Sequence, residues 1–385
     1  CRWTNSSFAN GGLITPSMSD PWNAPGVHRH LLEYVISSSS ALKIRLKALP
    51  SLLSWGPQFL LNSRPQPYRT ATLANLDLST YSLAVLNDLK TEFQLSFDSS
   101  DNGTLKIFRS TEALDTALKM TRFLEEHGLK AKILDRHETV TTEPCLTAIR
   151  DDITGAIYYP RDASGDAHLY CRAVAKTIKR LGGVIEYNRT VQAIESRNGH
   201  VSGVRLQDDF IAADEVIIAA GVTSPELASK LSLKLRVKPV KGYSVTYNMD
   251  TTAPTPNIPV VDDALHTAVT PLGSRLRVAG TAEFAGNDTC IDHQRIANLT
   301  NIIKAIYPDL VNDDTSSKGV AWAGLRAVSA DGRPYIGPGN IPGLWINTGH
   351  GHLGWTMAAG SARMLVDIIN GTATEINPKP FATNR

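Results

Sequence analysis

The sequence predicts an α/β protein of two interleaved domains, one a parallel sheet flanked by helices, the other built on an antiparallel sheet. Three observations carry this. Apolar residues switch several times between helical and strand-like spacing. A helix, a strand, a meander and a buried strand follow one another from Asp166 to Gly221. A glycine-rich turn, Gly349-x-Gly351-x-x-Gly354, joins an apolar run to a helical run close to the carboxy terminus. At 385 residues such a chain divides more readily into two domains than it packs around one core.

In chain order, the segment ALKIRLKALPSLLSWGPQFLL, residues 41–61, mixes Lys43, Arg45 and Lys47 with leucines, Trp55 and Phe59. It reads either as a lid packed on its own domain or as a face resting on a membrane surface. STEALDTALKMTRFLEEHG reads as a helix: Ser110 is the N-cap, Leu114, Ala117, Leu118 and Leu124 make an apolar face, and Gly128 ends it. A second helix begins at the cap Asp166, carries Tyr170, Val174, Ile178 and Leu181 on one face, and stops at Gly182-Gly183. After it a short strand, a strand, an Asn198-Gly199 turn and a further strand lead to the apolar run Val216 to Ala220, closed by Gly221. The segments KGYSVTYNM and RLRVAGTAEF have the alternation of antiparallel strands and place a second sheet at residues 240–325.

Composition excludes several classes of function. The net charge of +2, with Lys and Arg scattered along the chain, offers no phosphate-binding stripe, so no nucleic-acid partner is expected. Cys1, Cys145, Cys171 and Cys290 are widely spaced and form no C-x-x-C pair, so neither a metal site nor a disulfide framework is expected, and a reducing, cytoplasmic setting fits. No apolar run is long enough to span a bilayer, and the first residues lack the pattern of a signal peptide. A first residue of Cys instead of Met marks the chain as processed, trimmed or incomplete.

The carboxy-terminal glycine turn needs a strand before it, a helix after it and a second parallel strand beyond. Leu344 to Asn347 and Thr356 to Ile369 meet the first two conditions, whereas the last residues are short, polar and contain Pro378 and Pro380. What remains is a helix N-terminus approached by a flexible backbone, which presents N–H donors and partial positive charge. A pyrophosphate, the pyrimidine end of a flavin, or no ligand at all would each be compatible with that turn.

The blocks SFANGGLITPSMSDPWNAPG (7–26), GTLKIFRS (from 103), GAIYYPRDASGDAHLY (from 155), DEVIIAAG (from 214), VKGYSVT (from 240), AWAGLRAVSADGRPYIG (from 321) and NTGHGHLGWTMAAGSARMLVDIING (from 347) together resemble the FAD-dependent D-amino-acid dehydrogenases. These belong to the amine-oxidising flavoproteins that include glycine and sarcosine oxidases. The resemblance implies an FAD/NAD(P)-binding (Rossmann-like) domain from residues 1–30, 151–239 and 326–385, and a substrate domain from 31–150 and 240–325. It implies oxidation of a D-amino acid to an imine, hydrolysis to a 2-oxo acid and ammonia, and electrons passed to a respiratory acceptor such as a quinone. It implies a cytoplasmic protein, peripheral on the inner face of a bacterial inner membrane. In the family the ADP-binding strand and its G-x-G-x-x-G turn precede the SFANGG block, so about thirty to forty further residues are expected upstream.

The resemblance also assigns roles to residues. Arg326 is the clamp for the substrate carboxylate, since a guanidinium offers two parallel donors; its rival reading is a surface ion pair. Tyr243 would set a hydroxyl beside that carboxylate, or be a core tyrosine. His350 is grouped with these catalytic residues as a flavin neighbour. Ser7, Asn10, Gly11 and Gly12 lie against the flavin or its phosphates, Val191 meets the adenine, and Ala220 with Gly221 ends a strand near the cofactor. Gly349, Gly351, His352, Leu353, Gly354, Trp355 and Thr356 form the turn that faces the ring. Two alternatives stay open on sequence alone: a secondary-amine oxidase or dehydrogenase acting on sarcosine or hydroxyproline, and a non-catalytic remnant serving as a binding module.

Overall fold

The computed structural model describes residues 7–30, 42–249, 255–311 and 318–385. Cys1 and residues 31–41 of the expected substrate domain lie outside them. The strands in chain order are β1 (Leu13–Ile14), β2 (Leu42–Ile44), β3 (Thr104–Phe108), β4 (Lys132–Leu134), β5 (Gly155–Tyr159), β6 (Ala163–Ser164), β7 (Ala193–Arg197), β8 (His200–Arg205), β9 (Phe210–Ala212) and β10 (Val216–Ile218). They continue as β11 (Val237–Asn248), β12 (Val260–Asp262), β13 (Thr267–Leu272), β14 (Arg275–Phe284), β15 (Val320–Ser329), β16 (Tyr335–Pro338) and β17 (Leu344–Thr348). The helices are α1 (Leu49–Leu52), α2 (Gly56–Leu61), α3 (Pro65–Phe93), α4 (Thr111–Glu125), α5 (Arg136–Thr142), α6 (Ala167–Arg180), α7 (Ser224–Ser229), α8 (His293–Ile306) and α9 (Gly354–Ile369).

One large sheet runs in the order β15-β11-β14-β13-β12-β3-β5-β4, with β2 added beside β14. Its pairs are antiparallel except β12 with β3 and β14 with β2. A smaller sheet, β10-β17-β16, has the parallel pair β10/β17 at its centre. β5, grouped by the sequence with the cofactor domain, hydrogen-bonds within the large sheet, and β15 crosses the expected boundary at 325/326.

Local chemistry fixes the predicted helices. The Ser110 hydroxyl accepts from the Ala113 N–H and starts α4, while the Asp166 carboxylate accepts from the His168 and Leu169 N–H groups and starts α6. Packing then sets the layers. Residues of alternate phase on β11 (Tyr243, Val245, Tyr247) join Leu299, Ile303 and Ile306 of α8 in one core on the back of the large sheet. A second core lies between α3 and α9, where Gly360 allows α9 to rest on the Ser82 backbone.

The short strand expected after Gly182-Gly183 does not form at residues 184–190. Those residues are irregular, Val184 is 84% exposed, and among the described residues no strand lies beside them to take their N–H and C=O groups. The meander that follows is present as β7-β8-β9, with Asn198 and Gly199 both at positive φ in its turn. Ile44, Ala48 and Trp55 are buried against Val240, Phe284 and Val328, while Leu46, Leu49, Leu53, Leu60 and Leu61 face outward. Among the described residues no helix is long and apolar enough to cross a membrane.

Candidate active site

Where the front face of the large sheet meets the end of β17 there is a cavity of about 490 Å³, a size suited to a small molecule. One wall is the strand-to-helix turn after β17. Gly349 (φ +84°) and Gly351 (φ +62°) hold a left-handed backbone that side chains rarely adopt, and so swing the chain from β17 into α9. A 3-10 turn, Gly351–Leu353, leads into α9 and no described side chain caps it, so the positive end of the helix faces the cavity.

A second wall is the segment 7–15, stitched to the sheet by its carbonyls. Ala9, Asn10 and Gly11 accept hydrogen bonds from Ser244 Oγ (2.6 Å), Arg277 Nη1 (3.2 Å) and Thr270 Oγ1 (2.7 Å). The Thr15 N–H donates to Thr356 Oγ1 at 3.1 Å, which ties this wall to α9. Small side chains keep the backbone itself at the surface of the cavity.

The third wall carries Arg326 on β15. Its guanidinium lies directly on Gly242 of the neighbouring strand, donates weakly to the Thr281 carbonyl (3.4 Å) and sits 5.5 Å above the Trp22 ring. Among the described residues no carboxylate pairs with it, and burial lowers its pKa to about 10. A partly buried cation without a counterion carries a desolvation cost, and an anion entering the cavity relieves it. The surface ion-pair reading of Arg326 therefore finds no partner here.

His350 also lines the cavity. Burial lowers its pKa to about 4, so the imidazole is neutral near neutral pH, and its Nε2 has no partner among the described residues. The Oδ1 of Asn347 is likewise left without one. His352 stacks on Trp22 (5.4 Å between ring centres, 12° between planes), and its Nε2 lies 3.3 Å from the Met18 carbonyl. Burial lowers the His352 pKa, against the opposing pull of Asp20.

Of the residues singled out by sequence, Ser7, Asn10, Gly11, Gly12, Gly221, Arg326, Gly349, His350, Gly351, His352, Leu353, Gly354, Trp355 and Thr356 all line this cavity. Three do not. Tyr243 points to the back of the sheet, where its hydroxyl donates to Glu283 Oε2 at 2.8 Å, because strand alternation gives the cavity to Gly242. Val191 lies half-buried in the irregular stretch without a strand, and Ala220 is exposed beyond the end of β10, with Ala219 in its place at the cavity. Sequence reasoning missed Gly242 and Trp22. The phase of β11 could have found the first, since Tyr243, Val245 and Tyr247 are the apolar set and must share the core face.

An uncapped helix end, a backbone-lined wall and an unpaired guanidinium share one cavity, which leaves room for a flat group beside an anion. The comparisons agree, and the chain belongs to the family described as FAD dependent oxidoreductase, which it matches over residues 2–368. A D-amino acid dehydrogenase from Xanthobacter autotrophicus is 35% identical over 381 residues, spanning 99% of this chain and 90% of its own length. Glycine oxidase from Geobacillus kaustophilus aligns with a TM-score of 0.75 at 20% identity, over 99% of this chain and 89% of that one. Iminodiacetate oxidase from a Chelativorans species gives 0.73 at 18% identity, over 98% and 89%. At such identities the two solved structures speak for the fold.

The residues present fit the flavin end of FAD. The turn 349–353 would let backbone approach a ring, the first turn of α9 would offer it donors, and the buried atoms Asn347 Oδ1 and His350 Nε2 have no partner among the described residues.

Proposed function

We propose that the protein oxidises D-amino acids to 2-oxo acids and ammonia with FAD as the electron acceptor. The observation that carries this is the unpaired guanidinium of Arg326 on the same cavity as the uncapped N-terminus of α9. The D configuration rests on the likeness to D-amino acid dehydrogenases over nearly the whole chain.

Bound FAD supplies the two-electron acceptor for hydride from the substrate Cα. Arg326 takes the substrate carboxylate through two donors, and so fixes the direction of one bond from Cα. The flat Trp22 ring beneath Arg326 and the stacked His352 restrict where that guanidinium can go. A neutral His350, with its pKa near 4, does not hold a proton taken from the substrate ammonium; its Nε2 serves as a hydrogen-bond partner, and the proton leaves to solvent before oxidation. The imine formed at Cα is hydrolysed by water after release. First-turn N–H groups of α9 would lie near the edge of a bound ring that gains negative charge on reduction and would favour the reduced form.

On this reading the electrons pass to a respiratory acceptor such as a quinone, reached from the cytoplasmic surface of a membrane. What supports it is the outer side of residues 46–61, where Leu46 (69% exposed) and Leu53 (77%) stand with Leu49 and Leu61 beside Lys43, Lys47 and Arg64. Such a surface would gain by lying on an anionic lipid interface.

The test is anaerobic bleaching of the visible flavin band by D-alanine, L-alanine, sarcosine and hydroxyproline. Bleaching by D-alanine alone is the expected result. Bleaching by sarcosine or hydroxyproline in preference to D-alanine would transfer the assignment to secondary amines, and a protein that takes up no FAD would be a remnant.

A further inference from the structure

Tyr243 faces away from the cavity, yet it belongs to a buried polar cluster immediately behind Arg326. The register of β11 against β14 slips between the pairs Lys241↔Glu283 and Tyr243↔Gly280, so Gly242 opposes both Thr281 and Ala282. Thr281 takes φ +58°, a left-handed conformation that a β-branched residue adopts only under constraint from its surroundings. Its carbonyl is the acceptor for Arg326 Nη1, and the Gly242 backbone opposite is the floor on which the guanidinium lies. The bulge therefore sets the place of the clamp.

Both oxygens of the buried Glu283 are engaged two residues further on. Oε2 accepts from the Tyr243 hydroxyl at 2.8 Å and Oε1 from Arg45 Nε at 2.5 Å. The facing Lys241, also fully buried, donates to Asp288 Oδ2 at 3.1 Å and to the Cys290 carbonyl. Arg45 follows β2, which pairs with Ala282–Phe284, and its own N–H donates to the Phe284 carbonyl at 3.0 Å. Beyond it, Trp55 donates to the Val328 carbonyl at 3.2 Å, and Val328 in turn bridges to His350. Segment 42–61 thus grips the sheet on both sides of Arg326.

We propose that Tyr243, Glu283 and Arg45 form a brace that holds the Thr281 bulge, and through it the Arg326 guanidinium, so that docking of segment 42–61 is coupled to binding of the substrate carboxylate. These are positioning residues: none touches the cavity. The proposal rests on the reading of Arg326 as the carboxylate clamp.

The test is a double-mutant cycle on the holoenzyme, read by calorimetric titration with D-lactate, a carboxylate of substrate size that has no amine. Tyr243→Phe should weaken D-lactate about tenfold, with Tm lowered by less than about 3 °C, and should cause no further weakening in the Arg326→Met background. Arg45→Met should act like Tyr243→Phe, and Arg45→Lys should restore part of the loss; these variants decide the matter if Tyr243→Phe does not fold, because the Arg45 side chain is 38% exposed. An equal loss in both backgrounds would show that Tyr243 acts independently of the guanidinium and overturn the brace. A lowered Tm with unchanged D-lactate affinity would overturn it too, leaving a stability cluster only. Should Arg326→Met itself leave D-lactate binding unaltered, the clamp reading fails first and takes the brace with it.

Discussion

Replacing Gly242 with alanine would place a methyl carbon where the Arg326 guanidinium now lies. The added Cβ would stand 2.2 Å from Nη1 and 2.4 Å from both Cζ and Nη2. Ordinary contact needs about 3.4 Å or more, so the guanidinium must retreat by roughly 1 Å, which a side-chain tip can do without moving the strand. The backbone at 242 is not in the left-handed region, so alanine adds no strain there. Folding should hold, with Tm within about 2 °C of the parent. A displaced clamp loses the alignment of its two donors with the carboxylate, a loss of about 2–3 kcal/mol at a charged, bidentate contact. That corresponds to a rise of about 30- to 150-fold in KM for D-alanine, with kcat changed far less. Steady-state kinetics with an artificial electron acceptor measure both. An unchanged KM in a folded G242A protein would refute the placing of the substrate carboxylate on Arg326.

Three further outcomes follow from the same geometry. Arg326→Met should raise KM by at least about tenfold yet leave Tm equal or higher, because it removes a partly buried cation that has no counterion among the described residues; a lowered Tm in thermal denaturation would show a structural partner. The folded His350 pKa, near 4, lies below its ordinary value of 6.5, so His350 costs nothing above about pH 6.5; as pH falls from there towards 4 the unfolded chain gains a proton that the folded one does not, and up to about 3 kcal/mol is lost. His350→Gln should flatten that part of the Tm–pH curve, and an unaltered curve would place the imidazole in contact with water. Gly360→Ala would drive a methyl carbon to 2.7 Å from Ser82 Cα, where backbone faces backbone, and should cost about 1–3 kcal/mol in denaturant unfolding; no loss would mean that α3 and α9 part more easily than their packing indicates.

Features with local causes were legible in the sequence. Ser110 and Asp166 cap the helices they were expected to cap, and Gly349 and Gly351 adopt the backbone for which glycine is suited. Residues of the carboxy-terminal turn and of the SFANGG block, both read as backbone-lined approaches to a ligand, line one cavity. What depends on distant pairing was not legible. Tyr243 and Gly242 are adjacent, and only the phase of β11 between β14 and β15 decides which of them meets Arg326. Val191, expected to meet the adenine, lies in the irregular stretch just before β7, and the strand expected to reach Ala220 ends two residues before it. The bulge at Thr281 leaves no mark in composition or period, since a threonine in a strand is ordinarily extended.

The most direct measurement is a crystal structure of the protein carrying FAD and D-lactate. The account predicts the pyrimidine edge of the ring against the N–H groups at Gly354–Thr356 and the lactate carboxylate within hydrogen-bond distance of Arg326. A ring bound elsewhere, or a carboxylate held by other residues while the Arg326 guanidinium stays on Gly242 untouched, would contradict it.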